Sequence, residues 1–249
     1  MSLQTMVRSA VALGRDLVGL ILPLTCAGCG HGDRSLCPAC AALFADPYRC
    51  EEDTVVLGAQ DVAPALGLPT WTTASYAGPV RHVVLAWKSG VRPDLAAVLA
   101  QVGERAGRRL AGQLALPGDG PGLLVVPAPS GWRRRMTRRL VAADLAVALT
   151  RGLAAGTGTG VRAVDVLRRR GGSGHRLGAA ARARRGRSPV RVASALPAAT
   201  PVLIVDDVVT TGSTIHASRT ALAGAGAEVI GAFALAATPP PGRPTPRPE

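Results

Sequence analysis

Aromatic side chains are scarce in this chain, at 3% of its 249 residues. A hydrophobic core therefore has to be aliphatic, and a hydrophobic content of 47% is ample for one. The shortage of rings also counts against a protein that stacks many bases of a single-stranded nucleic acid. Lysine is scarcer still, because Lys88 is the only one. Arginine supplies the remaining positive charge. Lys88 could reach a phosphate, but we expect an ordinary surface lysine whose stem lies along the protein.

Long apolar runs are also missing. No segment reaches the roughly 18 apolar residues of a membrane span. Residues 17–24 are apolar, but Arg15 and Asp16 precede them and no small-residue cleavage site follows, so a signal peptide is not indicated. Apolar residues in this region recur at helical spacing, which predicts a helix within residues 1–24 that packs on the body of a cytoplasmic protein.

Acidic residues are few, with 16 Asp+Glu against 29 Lys+Arg and a net charge of +13. Such an excess favours polyanionic partners. Two alternatives stay open, since a GC-rich coding bias inflates arginine and a basic run is often a solvated face. The runs cluster in the C-terminal half, at 133–135, 138–139, 168–170 and 182–187.

Cysteine occurs only between residues 26 and 50. Four of the five cysteines form two CxxC pairs, namely Cys26, Cys29, Cys37 and Cys40, and seven residues separate the pairs. Two such pairs can place four thiolates about 2.3 Å from a structural Zn²⁺ ion. Disulfides or a redox pair are the alternatives, but disulfides need an oxidising compartment. Cys50 stands apart and is interpreted as a spare thiol or the remnant of a second pair.

The most informative segment runs from Val202 to Thr214. A short aliphatic run, 202–205, predicts a buried strand that two adjacent aspartates follow. A small hydroxyl-rich turn leads into a helical pattern over 213–225. This order predicts two carboxylates and a helix N-terminus at the carboxyl edge of a parallel sheet, where α/β folds bind ligands. The edge suits a sugar phosphate; a solvated Asp-Asp turn with a Ser/Thr cap is the alternative.

A second strand–turn–helix unit precedes it. Residues 123–126 predict a buried strand, and a helix is expected over 138–153. The turn between them consists of small residues, Ala128, Pro129, Ser130 and Gly131. Two such units side by side bring both turns to one crevice, where this turn can cradle a diphosphate and nearby arginines can complement its charge. An ordinary βα loop with a basic rim is the alternative.

The remaining patterns predict an α/β fold with a parallel sheet flanked by helices. Strands are expected at 71–76, 161–167 and 228–235, and helices at 79–88 and 93–110. The basic, glycine-rich stretch 168–188 is interpreted as a mobile lid. Its candidate ligand-binding residues are Arg168, Arg169, His175 and Arg176. The proline-rich residues 238–249 are expected to be unstructured.

Residues 202–214 resemble the motif with which type I phosphoribosyltransferases bind 5-phosphoribosyl-1-diphosphate (PRPP). The resemblance implies that Asp206 and Asp207 hold the ribose hydroxyls. It implies a 5′-phosphate site in the turn formed by Thr210, Thr211, Gly212, Ser213 and Thr214, with Val208 and Val209 completing the PRPP-binding stretch. The expected ligand is PRPP with Mg²⁺, or another ribose 5-phosphate.

The order of parts resembles the ComF family, which is associated with bacterial competence for DNA uptake. The parts are a helix at 1–24, a four-cysteine zinc segment at 25–55, a phosphoribosyltransferase-like domain at 56–237 and a tail at 238–249. Three shorter pieces support it, Tyr76–Arg81, Leu85–Lys88 and Val125–Ser130. The resemblance implies a PRPP-binding protein of DNA uptake or processing, with single-stranded DNA and other competence proteins as partners.

Two departures from the family concern the acceptor side of the site. The family's Arg-Gly-Phe-Asn-Gln segment reads Met136-Thr137-Arg138-Arg139-Leu140 here, and residues 174–178 replace its usual lid pattern. Three functions therefore stay open: the DNA role, an active nucleobase phosphoribosyltransferase of salvage, and a PRPP-sensing regulator without turnover.

Overall fold

A computed structural model describes residues 24–50, 68–114, 122–129, 141–169 and 190–239. The expected N-terminal helix, Ser130, Gly131, His175, Arg176 and the proline-rich tail lie outside the described residues, apart from Thr238 and Pro239. Among the helices of these segments, none has the length and apolar character needed to cross a bilayer.

The described chain alternates strands and helices in the order of an α/β protein. The helices are α1 Pro38–Ala42, α2 Gly78–Ser89, α3 Leu95–Leu110, α4 Val141–Thr157 and α5 Ser213–Ala223. The strands are β1 Tyr48–Arg49, β2 Thr70–Ser75, β3 Leu123–Pro127, β4 Val161–Ala163, β5 Leu167–Arg169, β6 Val190–Val192, β7 Pro201–Val209 and β8 Glu228–Ala237.

Six strands form the main sheet in the order β1-β2-β8-β7-β3-β4, and β5 pairs with β6 in a separate antiparallel ribbon. All pairs in the main sheet are parallel except β1 with β2. The predicted α/β fold with a largely parallel, helix-flanked sheet is therefore confirmed. The sheet's carboxyl edge collects the ends of β2, β8, β7 and β3, so loops that follow these strands meet there.

Both faces of the sheet are covered, and β7 shows how its sequence divides between them. Val202 and Ile204 pack in a cluster with residues of α5 and β6, whereas Leu203 and Val205 pack in a cluster with α2, α3 and α4. This division follows from the alternation of side chains along a strand. Burial on both faces explains why the run is continuously aliphatic.

One predicted strand is wrong. The pattern over 161–167 predicts a single strand, but the segment forms β4 in the main sheet and the first residue of β5 in the ribbon. The Val164 N–H still donates to the Val125 carbonyl of β3, and the chain then leaves the sheet at Asp165. Arg168 donates to both the carbonyl and the carboxylate of Asp165, which stabilises the turn where the chain changes partners.

Candidate ligand-binding site

The two adjacent aspartates lie inside β7 rather than after it. Asp206 pairs in register with Ala234 of β8, and the strand continues to Val209. Because side chains alternate along a strand, Asp206 continues the face of Ile204 and Asp207 continues the face of Val205. The Asp207 backbone N–H donates to Asp206 Oδ1 at 2.8 Å, which holds the first carboxylate against the strand. The pair thus presents acceptors toward both faces at the end of β7.

The turn after β7 leaves space for an anion. Thr210 and Thr211 are exposed, and Gly212 has a φ of 67°, a left-handed conformation that favours glycine. A Cβ built at Gly212 has no atom within 4 Å, so the turn is open on that side. Helix α5 begins at Ser213, and its first backbone N–H groups have no partner within the helix. Such a terminus attracts anions.

These features share one open cavity of about 250 Å³ at the carboxyl edge of the sheet. Its lining consists of Tyr76, Lys88, Ala128, Pro129, Ala142, Arg169, Asp206, Asp207, Val208, Thr210 and Thr214. A smaller pocket of about 20 Å³ adjoins it at the turn and adds Val209, Gly212, Ser213 and Ile215 to the same set. Thr211 lines neither of them.

The predicted meeting of the two strand–turn units is confirmed. Strands β3 and β7 are parallel neighbours, with Pro127 in register with Val205. The Ala128 N–H donates to the Val205 carbonyl at 2.7 Å, which carries the pairing one residue beyond β3. Ala128 and Pro129 therefore reach the cavity next to the aspartates.

Lys88 is not a surface lysine, and that expectation is wrong. Its Nζ lies 2.8 Å from Asp207 Oδ1, and the two side chains are only 20% and 9% exposed. The helix explains the burial, because Val80 and Val84 are buried and Lys88 continues the same i, i+4 row. The sequence did contain a signal of this burial, because Lys88 ends a row of buried residues on one face of the helix. Its partner, however, lies 119 residues away.

Two further residues of the cavity come from outside the acidic pair and the turn. Arg169, a candidate lid residue, lines the cavity and donates from Nε to the Pro129 carbonyl at 3.0 Å, so it joins β5 to the β3 loop. Arg168 instead pairs with Asp165 and does not line the cavity. Tyr76 follows β2 and lines the cavity too; the sequence offered it only as part of a family resemblance.

The environment of Asp206 favours its protonated form. Desolvation and the negative charge of Asp207 together raise the pKa of Asp206 to about 7, although the Asp207 N–H and Lys88 oppose the shift. Two carboxylates this close cannot both ionise freely near neutral pH. Near neutral pH the pair therefore carries less than its full negative charge.

We expect replacement of Asp206 by asparagine to stabilise the protein at pH 8 but not at pH 4. The folded state, whose pKa is raised, retains a proton that the unfolded chain releases at about pH 4. The contribution of Asp206 to the free energy of unfolding therefore falls as pH rises from about 4 to 7. Asp206→Asn should gain on the order of 2 kcal/mol over the wild type across that window.

Urea unfolding of the two proteins between pH 4 and 8 measures this gain. Asp33→Asn is the charge-matched control, because the Asp33 side chain is 94% exposed. An Asp206→Asn protein whose advantage does not grow with pH would contradict the expected protonation.

The four cysteines of the two CxxC pairs come together in the structure. The Sγ atoms of Cys26, Cys29, Cys37 and Cys40 all lie within 4.8 Å of one another. Cys29 and Cys37 are 3.8 Å apart at sulfur, close to the roughly 3.8 Å edge of a tetrahedron whose zinc–sulfur bonds are about 2.3 Å. None of the five cysteines forms a disulfide. The cluster is compatible with a structural zinc ion, and Cys50 lies buried outside it.

Backbone N–H groups stabilise the thiolate form of Cys26, which is the form that binds a metal ion. Burial alone raises the pKa of Cys26, but N–H groups of Cys37, Cys29 and Gly28 outweigh it and lower the pKa to about 6. Burial and the neighbouring sulfurs instead raise the pKa of the Cys40 thiol. Four thiols this close repel one another when ionised, so a divalent cation is the natural partner of the fully deprotonated set.

The cysteine lobe, residues 24–50, is fastened to helix α2 and the start of α3. The Gly28 carbonyl lies 3.0 Å from His82 Nδ1 of α2. Arg92 donates to the Thr25 carbonyl at 2.8 Å and forms an ion pair with Asp94 at 2.7 Å. Buried residues of the lobe, including Phe44, belong to the same hydrophobic cluster as the inner face of α2. The lobe therefore supports the helix that carries Lys88.

Comparison with known families agrees with this geometry. A family model described as the phosphoribosyl transferase domain matches residues 142–245. The chain thus carries a phosphoribosyltransferase domain in its C-terminal half. The matched region contains the aspartates, the turn and α5, and it leaves out the cysteine lobe, Lys88 and the β3 loop. No curated protein matches the chain.

Proposed function

We propose that the cavity binds PRPP, with Asp206 and Asp207 accepting hydrogen bonds from the ribose hydroxyls. The observation that carries the proposal is the meeting of this acid pair with an open turn and a helix N-terminus in one cavity of a phosphoribosyltransferase domain. Thr210 to Thr214 bind the 5′-phosphate, with Val208 and Val209 beside it. Ala128 and Pro129, continued by Ser130 and Gly131, bind the diphosphate.

The reaction that suits this site is transfer of the phosphoribosyl group. A nitrogen nucleophile forms a bond to ribose C1, and the bond from C1 to the diphosphate oxygen breaks, so that diphosphate leaves with the bonding electrons. The sugar becomes positive in the transition state while negative charge grows on the leaving group. The protein contributes by positioning both and by stabilising that charge. Mg²⁺, which prefers oxygen ligands, would accompany the diphosphate.

A more specific function, that of a ComF-like protein of DNA uptake, is supported by the order of the cysteine motif and the PRPP motif along the chain. Single-stranded DNA and other competence proteins are the partners that this assignment implies. Salvage of a nucleobase and PRPP sensing without turnover are the two alternatives. The cysteine lobe is proposed to hold a structural zinc ion through Cys26, Cys29, Cys37 and Cys40, because its four sulfurs lie at the required spacing.

Removal of the acid pair is expected to weaken PRPP binding strongly. The double variant Asp206→Asn, Asp207→Asn loses two charged acceptors for the ribose hydroxyls, and each such hydrogen bond contributes about 1.5–3 kcal/mol. The dissociation constant for PRPP with Mg²⁺ should rise on the order of a hundredfold in calorimetry. Asp33→Asn keeps the wild-type affinity as the control. A double variant that binds PRPP as the wild type does sinks the proposal.

Activity assays then separate the three functions. Diphosphate release that depends on an added nucleobase and is lost in the double variant identifies a transferase. PRPP binding without turnover on a nucleobase panel identifies a sensor. Binding of single-stranded DNA that falls steeply with salt and is unaffected by Asp206→Asn supports a DNA role.

A further inference from the structure

The ion pair with Asp207 explains why the side chain at position 88 is buried, but it does not explain why that residue is a lysine. The ion pair with Asp207 removes two charges from water, and such pairs seldom add stability because desolvation offsets their attraction. The chain uses arginine for all its other Lys/Arg positions, so a need for positive charge alone does not account for a lysine here. Lysine differs from arginine in being a compact charge with three donors on a flexible stem.

The ammonium of Lys88 has donors left over. Of its three hydrogens, one is accepted by Asp207, and no other hydrogen-bond acceptor for Nζ occurs within the segments that the structure describes. The residue lines the cavity together with Pro129 of the β3 loop. Lys88 contacts Asp207 from the last turn of α2, and the β3 loop follows the strand next to β7, so both border the acid pair in this cavity.

Charge balance indicates what those donors bind. Two carboxylates repel an anionic diphosphate beside them unless cations offset the charge, and besides Mg²⁺ the described lining of the cavity offers two cationic side chains, Lys88 and Arg169. We propose that Lys88 is a ligand-binding residue of this cavity, which stays anchored on Asp207 and donates its remaining hydrogens to oxygens of the ligand's diphosphate. The inference rests on the proposed function, because it takes PRPP as the ligand. It adds a diphosphate contact from outside the matched domain.

The rival role is positioning, in which Lys88 merely holds Asp207 in place. Ribose 5-phosphate distinguishes diphosphate contact from positioning, because it shares the ribose and the 5′-phosphate with PRPP but carries no diphosphate. A positioning residue affects both ligands equally. A residue that contacts the diphosphate affects PRPP more.

The experiment compares the two ligands, each with Mg²⁺, on the wild type and on Lys88→Met by calorimetry. We expect the dissociation constant for PRPP to rise about tenfold or more, and that for ribose 5-phosphate to change less than about threefold. Lys88→Arg should recover part of the loss. Arg81→Met removes a charge from the exposed side of the same helix and is the matched control. An equal change for both ligands, or none, overturns the inference.

A second measurement needs no variant. Since Lys88 is the only lysine, protein labelled with ¹³C-lysine gives one set of side-chain resonances. The Lys88 Cε resonance should shift on addition of PRPP and shift less with ribose 5-phosphate; equal shifts count against diphosphate contact. A wild type that binds neither ligand refutes the proposed function itself, whereas one that binds PRPP without a response from Lys88 refutes only this inference.

Discussion

Replacing Gly152 by alanine should destabilise the protein by more than about 3 kcal/mol. Helices α3 and α4 cross so closely that a Cβ at Gly152 would collide with the Glu104 carbonyl oxygen, and one at Gly107 with the Leu149 carbonyl oxygen. Backbone atoms cannot rotate away as side chains do, so the helices would have to separate along a buried face. For a chain of this size the melting temperature should fall by roughly 6–12 °C.

Gly112→Ala is the control for this prediction. A Cβ at Gly112 has no atom within 4 Å, and its backbone is not left-handed, so the variant should melt within about two degrees of the wild type. Scanning calorimetry of the three proteins makes the measurement. Equal melting temperatures for Gly152→Ala and Gly112→Ala would mean that the helices do not approach as closely as described.

Loss of one cluster cysteine should prevent zinc from binding at the proposed site and unfold the lobe. Cys40 is buried and its sulfur belongs to the four-sulfur cluster, so Cys40→Ser removes a ligand that no described neighbour can replace. Structural zinc sites contribute on the order of 10 kcal/mol to the folding of small domains. We expect purified wild type to carry one equivalent of zinc and Cys40→Ser to carry almost none, with a melting temperature lowered by roughly 20 °C or more.

Cys50→Ala provides the matched control, since Cys50 is equally buried but lies outside the cluster. Its zinc content should equal that of the wild type, even if the cavity left in the core costs some stability. Metal analysis and thermal melting with and without a chelator test both variants. Full zinc in Cys40→Ser would show that the cluster does not hold the metal.

Local patterns predicted the elements that build the cavity. The aliphatic run of β7, the turn after it and the four-cysteine spacing each depend on residues near one another in sequence. The structure places Asp206, Asp207 and Thr214 around the same cavity as Ala128 and Pro129. That meeting follows from parallel pairing of β3 with β7, which two short buried strands already suggested.

What the sequence did not predict depends on long-range contacts. The burial of Lys88 was missed because its partner, Asp207, is reached only when α2 packs over the end of β7. The single strand expected over 161–167 failed because Leu167 pairs with Val192, beyond the reach of any local pattern. The sequence of β2 is near-alternating, yet five of its six residues are buried because β1 and β8 flank it and both faces are covered.

Six residues of helix α2, or about 9 Å, separate His82, where the cysteine lobe attaches, from Lys88 in the last turn of the helix. A rigid rod of that length transmits a tilt at one end as a displacement at the other. A metal ion gained or lost at the four cysteines would therefore act on the position of the Lys88 ammonium in the cavity, although the lobe itself does not line it.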